Sequence, residues 1–308
     1  MKRRSFLKFG MGACALFGVR TAGASTKTGS STSAGPKSVI LMVSDGMSFG
    51  TLCAADQFRR WRDGRPSNWM RLLEEGRGRR AAMDMAAADS PVTDSAAASS
   101  SWSGGTRVNN GSLNVDPDGR EHPPIADAVR AVGKAVGLVT TTQLTHATPA
   151  AMAAVVPRRS MQNEIAGQYF ERRIDVLLGG GIEHFDPGRR PDQRNLLGEF
   201  ESAGYATARN AEAMRARAGK SERLIGVFHD GHLPYEIDRT NRDDLKTTVP
   251  SLKEMTAAAL DVLDRRDTGF FLLVEGGRVD HAAHANDLGG LIHVILPDIV
   301  TIPRGGRI

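Results

Sequence analysis

The chain reads as an α/β domain with a mainly parallel β-sheet, and two observations predict this. Short apolar runs recur at Val39–Val43, Ala135–Val139, Ile174–Leu178, Leu224–Phe228 and Phe270–Val274. Runs of that length with little alternation suit strands covered on both faces. Helical patterns lie between them: Ile125, Ala128, Val129 and Val132 follow the i, i+3, i+4, i+7 rule, and so do Leu252, Met255, Ala259 and Val262. Strands alternating with helices argue for parallel pairing through crossover helices. The sequence contains no internal repeat.

The elements follow in order along the 308 residues. The opening "MKRRSFLKFGMGACALFGVRTAGAS" sets Arg3 and Arg4 before an apolar run from Phe9 to Val19, then Ala22-Gly23-Ala24. That run is too short to span a bilayer as a mature helix. Residues 1–24 therefore read as a twin-arginine signal peptide, which predicts a periplasmic or secreted protein with no membrane span in the mature chain. The first 24 residues hold five basic residues (Lys2, Arg3, Arg4, Lys8, Arg20) and no acid, so the formal charge of +5 falls to zero on cleavage. No nucleic-acid binding is implied by charge. Cys14 leaves with the leader, and the remaining Cys53 cannot form an internal disulfide. Residues 25–35, rich in Ser, Thr and Gly, read as a flexible linker, and order is expected from Pro36.

The first strand ends at Ser44-Asp45-Gly46. The arginine-rich stretch from Arg59 to Arg80 reads as a solvated helical face and loop. "VTDSAAASSSWSGG" follows from Val92, with Asp94 and Ser95 among small residues. The second strand leads into "TTTQLTHATPAA", with His146 and Thr148. Ser251 and Glu254 form a capping box before the last periodic helix. The final strand runs into "VEGGRVDHAAHAND", with Glu275, Asp280, His281 and His284. Polar groups at the carboxyl ends of parallel strands are where such sheets build their sites. An Asp and a His four apart share one helical face and can converge on one cation. Carboxylate with imidazole suits zinc, whereas carboxylates with a threonine hydroxyl suit magnesium.

Seven stretches in order, "SDGMS", "VTDSAAASS", "GLVTTTQLTHATPAA", "DVLLGGG", "GHLPYEIDR", "PSLKEMTAAAL" and "VEGGRVDHAAHAND", resemble the bacterial and animal alkaline phosphatase family from about Pro36 to Gly290. The resemblance implies a central sheet flanked by helices on both faces, two zinc ions and one magnesium. It implies Ser95 as the nucleophile and Arg159 as the phosphate clamp held by Asp94, with Arg158 as the rival clamp. Asp45 would bridge one zinc and the magnesium, Thr148 and Glu275 would complete the magnesium set, and Asp280 and His284 would hold the other zinc. His146 and His281 stand at positions beside the metals that vary within the family. A histidine next to the magnesium site would favour a more nitrogen-loving ion. The substrates implied are small phosphate monoesters, hydrolysed through a phosphoserine, and a homodimer is open.

The resemblance covers residues 36–291, an incomplete alkaline phosphatase-like domain. After "HANDLGGLI" the family continues for well over a hundred residues and supplies further zinc ligands. Residues 292–308, "IHVILPDIVTIPRGGRI", form an atypical tail, with His293 as a substitute-ligand candidate. Three functions remain open on sequence: an exported alkaline phosphatase, a shortened non-catalytic remnant that binds metal or phosphate, and a related phosphodiesterase or sulfatase. The Thr93-Asp94-Ser95-Ala96 setting favours the first over the third, and the missing ligands are what favours the second.

Overall fold

The computed structural model describes residues 36–295. The leader, the linker and the end of the tail lie outside the described residues, and so does the side chain of His293. Six strands form one sheet: β1 Val39–Ser44, β2 Ala135–Gln143, β3 Val176–Gly180, β4 Ala206–Ala208, β5 Leu224–Val227 and β6 Phe270–Gly276. Their order is β1-β6-β2-β3-β5-β4 and every pair is parallel. Five strands grow from the five apolar runs. The fourth, Ala-Thr-Ala, is too short and too weakly patterned to announce itself.

The helices are α1 Phe49–Asp63, α2 Asn68–Glu74, α3 Ser95–Ser103, α4 Ile125–Ala131, α5 Ala147–Ala153, α6 Gln162–Glu171, α7 Leu196–Ser202, α8 Ala211–Ala218, α9 Glu236–Asn241, α10 Asp243–Thr248, α11 Leu252–Leu263, α12 Arg278–His284 and α13 Leu288–Ile295. The capping box forms: Ser251 Oγ accepts from Glu254 N at 3.2 Å while the Glu254 carboxylate accepts from Ser251 N at 2.9 Å. Side chains alternate across the sheet. Val136, Leu138, Leu177, Ile225, Phe271 and Leu273 face a core shared with α5, α6 and α7. Val139, Val176, Leu178, Leu224, Leu272 and Val274 face the opposite core, built with α8 and α11.

One expectation needs correction. The stretch from Arg59 to Arg80 is largely solvated, but Arg59 is only 3 % exposed. It lies on the inner side of α1 and reaches Asp63, one turn on, at 3.6 Å. α13 continues past residue 291 to Ile295. Leu288, Leu291, Ile292 and Ile295 keep helical spacing across it. No helix among the described residues is long and apolar enough to cross a membrane.

The consequence for function lies in the strand order. β1, β6 and β2 are neighbours, and in sequence they run into Asp45, Glu275 and the His146–Thr148 segment. Three segments far apart in the chain are thus delivered to one end of the sheet.

Candidate active site and metal cluster

Asp45 follows β1 directly. Gly46 then takes φ +64°, and a Cβ at that position would stand 2.5 Å from Asp280 Oδ1. Glycine is required here both for the turn and for the close approach of α12. Asp94 caps α3, its Oδ1 accepting from Ala97 N at 2.9 Å. Its Oδ2 accepts from Gly111 N at 3.1 Å and from Arg159 Nη1 at 3.0 Å. The carboxylate therefore ties the helix start, a loop and the guanidinium together. Ser95, the first residue of α3, points its hydroxyl at Asp45, donating to Oδ2 at 2.9 Å and Oδ1 at 3.2 Å.

Asp94 is the cap of α3, and the serines beyond Ser95 pack and bond to the backbone around them. Ser99 Oγ donates back to Ser95 O at 2.5 Å, and Ser100 Oγ accepts from Asn114 N at 3.0 Å. Ala96–Ser100 are buried against α5, itself buried throughout, so small side chains bring these two helices close together.

Glu275 is fully buried in β6, in register with Val43 on one side and Thr140 on the other. Its Oε2 accepts from Thr140 Oγ1 at 2.5 Å and Thr142 Oγ1 at 3.4 Å, while Oε1 has no partner among the described residues. Burial first, and then the Asp45 charge, pushes this carboxyl up to about 7, against the pull of the Thr140, Thr148 and Thr142 hydroxyls. Asp45 is raised too, by burial above all and also by Asp280. Thr148 is buried on α5. Gly277 leaves room beside Glu275, since a Cβ there would collide with Thr142 and come within 3.0 Å of Oε1.

His146 joins this cluster: one ligand atom each from Asp45, His146 and Glu275 lie within 4.8 Å of one another. Two carboxylates forced together in a buried place, one with an orphaned oxygen, are what a divalent cation would relieve. The two carboxylates fit such an ion, with the His146 ring standing beside them. Arg159 Nη2 lies 2.9 Å from His146 Nε2. Arginine can only donate, so Nε2 accepts and the ring proton sits on Nδ1, which is buried without a partner. Burial and the neighbouring Arg159 charge hold this imidazole neutral, down to about 2.

Residues 36–296 match the alkaline phosphatase family profile. The chain belongs to the alkaline phosphatase family. It is 43 % identical over 205 residues to alkaline phosphatase 3 of Bacillus subtilis, a match covering 65 % of this chain and 42 % of that protein. It is 37 % identical over 263 residues to alkaline phosphatase 4 of the same organism, covering 82 % of this chain and 54 % of the relative. The crystal structure of Thermus thermophilus alkaline phosphatase superposes with a TM-score of 0.79 at 41 % identity, covering 85 % of this chain and 54 % of that one. The chain spans about half the length of the curated relatives it matches.

Within this alkaline phosphatase domain a cleft of about 590 Å³ opens over Asp45, Asp94, Ser95, Arg159, Asp280 and His284. Arg158 is exposed outside it. Asp280 and His284, one turn apart on α12, bring Oδ1 and Nε2 to 3.4 Å. The His284 side chain is 82 % exposed, and no third His, Cys, Asp or Glu among the described residues closes around the pair. His281 accepts from Arg278 Nη1 at 2.7 Å and packs edge-on to His146, ring centroids 5.6 Å apart. Sequence reasoning missed His232. Its ring lies 4.5 Å from His281 and 5.3 Å from His146, and its Nδ1 accepts from Gln143 N at 3.1 Å. The one available signal was its place in "GHLPYEIDR", just after β5, where no spacing marks it out.

Proposed function

We propose that this chain carries the phosphate-monoester chemistry of its family, with Ser95 as the nucleophile. What supports the reading is one arrangement: the Ser95 hydroxyl stands at a helix start, 2.9 Å from Asp45, with Arg159 locked beside it on Asp94. A helix start offers backbone N–H groups to an anion, and a planar guanidinium grips two phosphate oxygens.

Arg159 orients the phosphoryl group so that its phosphorus faces Ser95 Oγ. The serine oxygen bonds to phosphorus as its proton passes to solvent, the ester bond to the leaving oxygen breaks, and that oxygen takes a proton from solvent. Water then cleaves the phosphoserine, returning the Ser95 hydroxyl and free phosphate. Asp94 keeps the clamp in place through both steps, and Asp45 positions the hydroxyl before attack. Asp45, Thr148 and Glu275, with His146 alongside, would hold a magnesium-type ion, and Asp280 with His284 would contribute to one zinc of a pair. Bound cations would supply the positive charge that lowers the proton affinity of Ser95 and stabilises negative oxygen. The grip is on phosphate and not on the alcohol, so a broad range of small monoesters is expected. Export through the twin-arginine leader is part of the same proposal.

A specific observation favours weak turnover by this chain alone. Zinc sites in enzymes commonly use three protein ligands, and the exposed Asp280–His284 pair offers two. The decisive experiment is phosphoserine trapping with an aryl phosphate at acidic pH, read by mass spectrometry. The expected result is a single phosphate on Ser95, absent in Ser95→Ala. A label on Ser99 or Ser100 that persists in Ser95→Ala would refute the assignment. Zinc-dependent turnover at rates typical of enzymes would refute the expectation of weak activity.

A further inference from the structure

We propose that the opposite end of the sheet carries a second oxyanion site, walled by Arg130, Arg223 and Arg266 and suited to a tetrahedral dianion such as inorganic phosphate. The three arginines converge on one carboxylate. Asp175 is 4 % exposed and sits immediately before β3. Its Oδ2 accepts from Val136 N at 3.0 Å and has Arg130 Nη1 at 3.3 Å. Its Oδ1 has Arg223 Nε at 3.6 Å and Arg266 Nη2 at 3.5 Å. None of these is a tight fork of the kind Arg190 makes with Asp192, at 2.8 and 2.5 Å. Three positive charges thus share one negative charge, and each arginine side chain remains about a third exposed, at 30, 30 and 33 %. Arg130 and Arg266 each spend one further N–H on a carbonyl, of Arg173 and Glu222, which leaves donors of all three unspent. The nearby acids in sequence, Glu222, Asp264 and Asp267, form no ion pair with these arginines.

A second, independent observation lies beside the same arginines. Tyr205 is 4 % exposed, and its hydroxyl has no hydrogen-bond partner among the described residues. The Arg223 guanidinium lies 5.5 Å over its ring, and Arg223, Asp175, Arg130 and Arg173 all act on the phenol electrostatically. Burial above all pushes the phenol up to about 12, so it keeps its proton and is a donor in want of an acceptor. Planar guanidinium forks and a neutral phenol O–H together match the several acceptor oxygens of phosphate. The site belongs to the amino ends of the strands: Arg223 precedes β5 and Arg266 lies in the turn before β6. Asp45 and Glu275 belong to the carboxyl ends, roughly the length of β6 away, on the order of 20 Å. The inference does not depend on the catalytic reading.

The test is calorimetric titration of the full chain with inorganic phosphate, against sodium chloride at equal ionic strength. Arg159→Ala removes the contribution of the catalytic face and should leave one phosphate bound. Adding Arg130→Gln with Arg223→Gln should weaken that binding at least tenfold. Asp175→Asn, which removes the competing anion but keeps an acceptor for Val136 N, should tighten it several-fold. A purely structural knot predicts no tightening. Should the double variant fail to fold, Asp175→Asn and Tyr205→Phe decide, the second by weakening phosphate binding. Binding that chloride reproduces, or that is indifferent to all of these substitutions, overturns the proposal.

Discussion

Replacing Glu275 by Gln should stabilise the metal-free chain at alkaline pH. Folded Glu275 keeps its proton to about 7, whereas an ordinary glutamate releases it near 4.5. Between those values the folded state binds more protons than the unfolded one, so stability falls as pH rises through that window. The difference, about 2.5 units at 1.36 kcal/mol each, corresponds to about 3 kcal/mol lost by pH 8. Gln keeps an acceptor for Thr140 and carries no charge, so Glu275→Gln should recover most of that loss at pH 8 and change little at pH 4.5. In a domain of this size 3 kcal/mol is roughly 6–12 °C in melting temperature. The assay is urea unfolding followed by tryptophan fluorescence at pH 4.5, 6, 7 and 8, with chelator and with added divalent cation. Cation should stabilise the wild type and not the variant, reversing their order. A variant equal to or weaker than wild type at pH 8 in chelator, with the same pH slope, would show that the cluster is not under electrostatic strain.

Other expected outcomes concern residues that hold the site in place. Asp94→Ala removes the α3 cap and the Arg159 anchor together. It should cost about 1 kcal/mol of stability as a lost cap, and it should raise KM for an aryl phosphate more than Arg158→Ala does, measured in a chain joined to a family carboxyl-terminal segment. Ser251→Ala should lower stability by about 1 kcal/mol in urea unfolding, with no effect on phosphate binding, because its capping box lies on α11. Gly180→Ala should fail to accumulate as folded protein, since its Cβ would meet the Gly231 carbonyl; normal circular dichroism and melting of that variant would count against the described loop packing.

Much of this architecture was legible because it rests on local pattern. Apolar runs mark five of six strands, and the Ser251–Glu254 box marks the start of α11. The site was legible where side-chain chemistry broke pattern: Glu275 at the end of an apolar strand, and Asp45 before a glycine. What could not be read depends on contacts between distant segments. His232 enters through the packing of the segment after β5 against the end of β2. The burial of Arg59 follows from which side of α1 turns inward, not from its neighbours. The knot around Asp175 joins four strand entrances, and within its own run Asp175 looks only like a blemish in a strand.

Among the described residues β1 is the outermost strand beside β6 and pairs on one side only. Its sequence, Val-Ile-Leu-Met-Val-Ser, has no charge and no proline, and its middle is half-buried. Many natural sheets blunt such a border with lysine, proline or a bulge. Among the described residues the outer amide and carbonyl groups of β1 pair with no strand, and the same six residues have the composition of aggregation-prone strands. The strand that delivers Asp45 to the site is thus also where a peptide able to add a strand along Val39–Ser44 would dock.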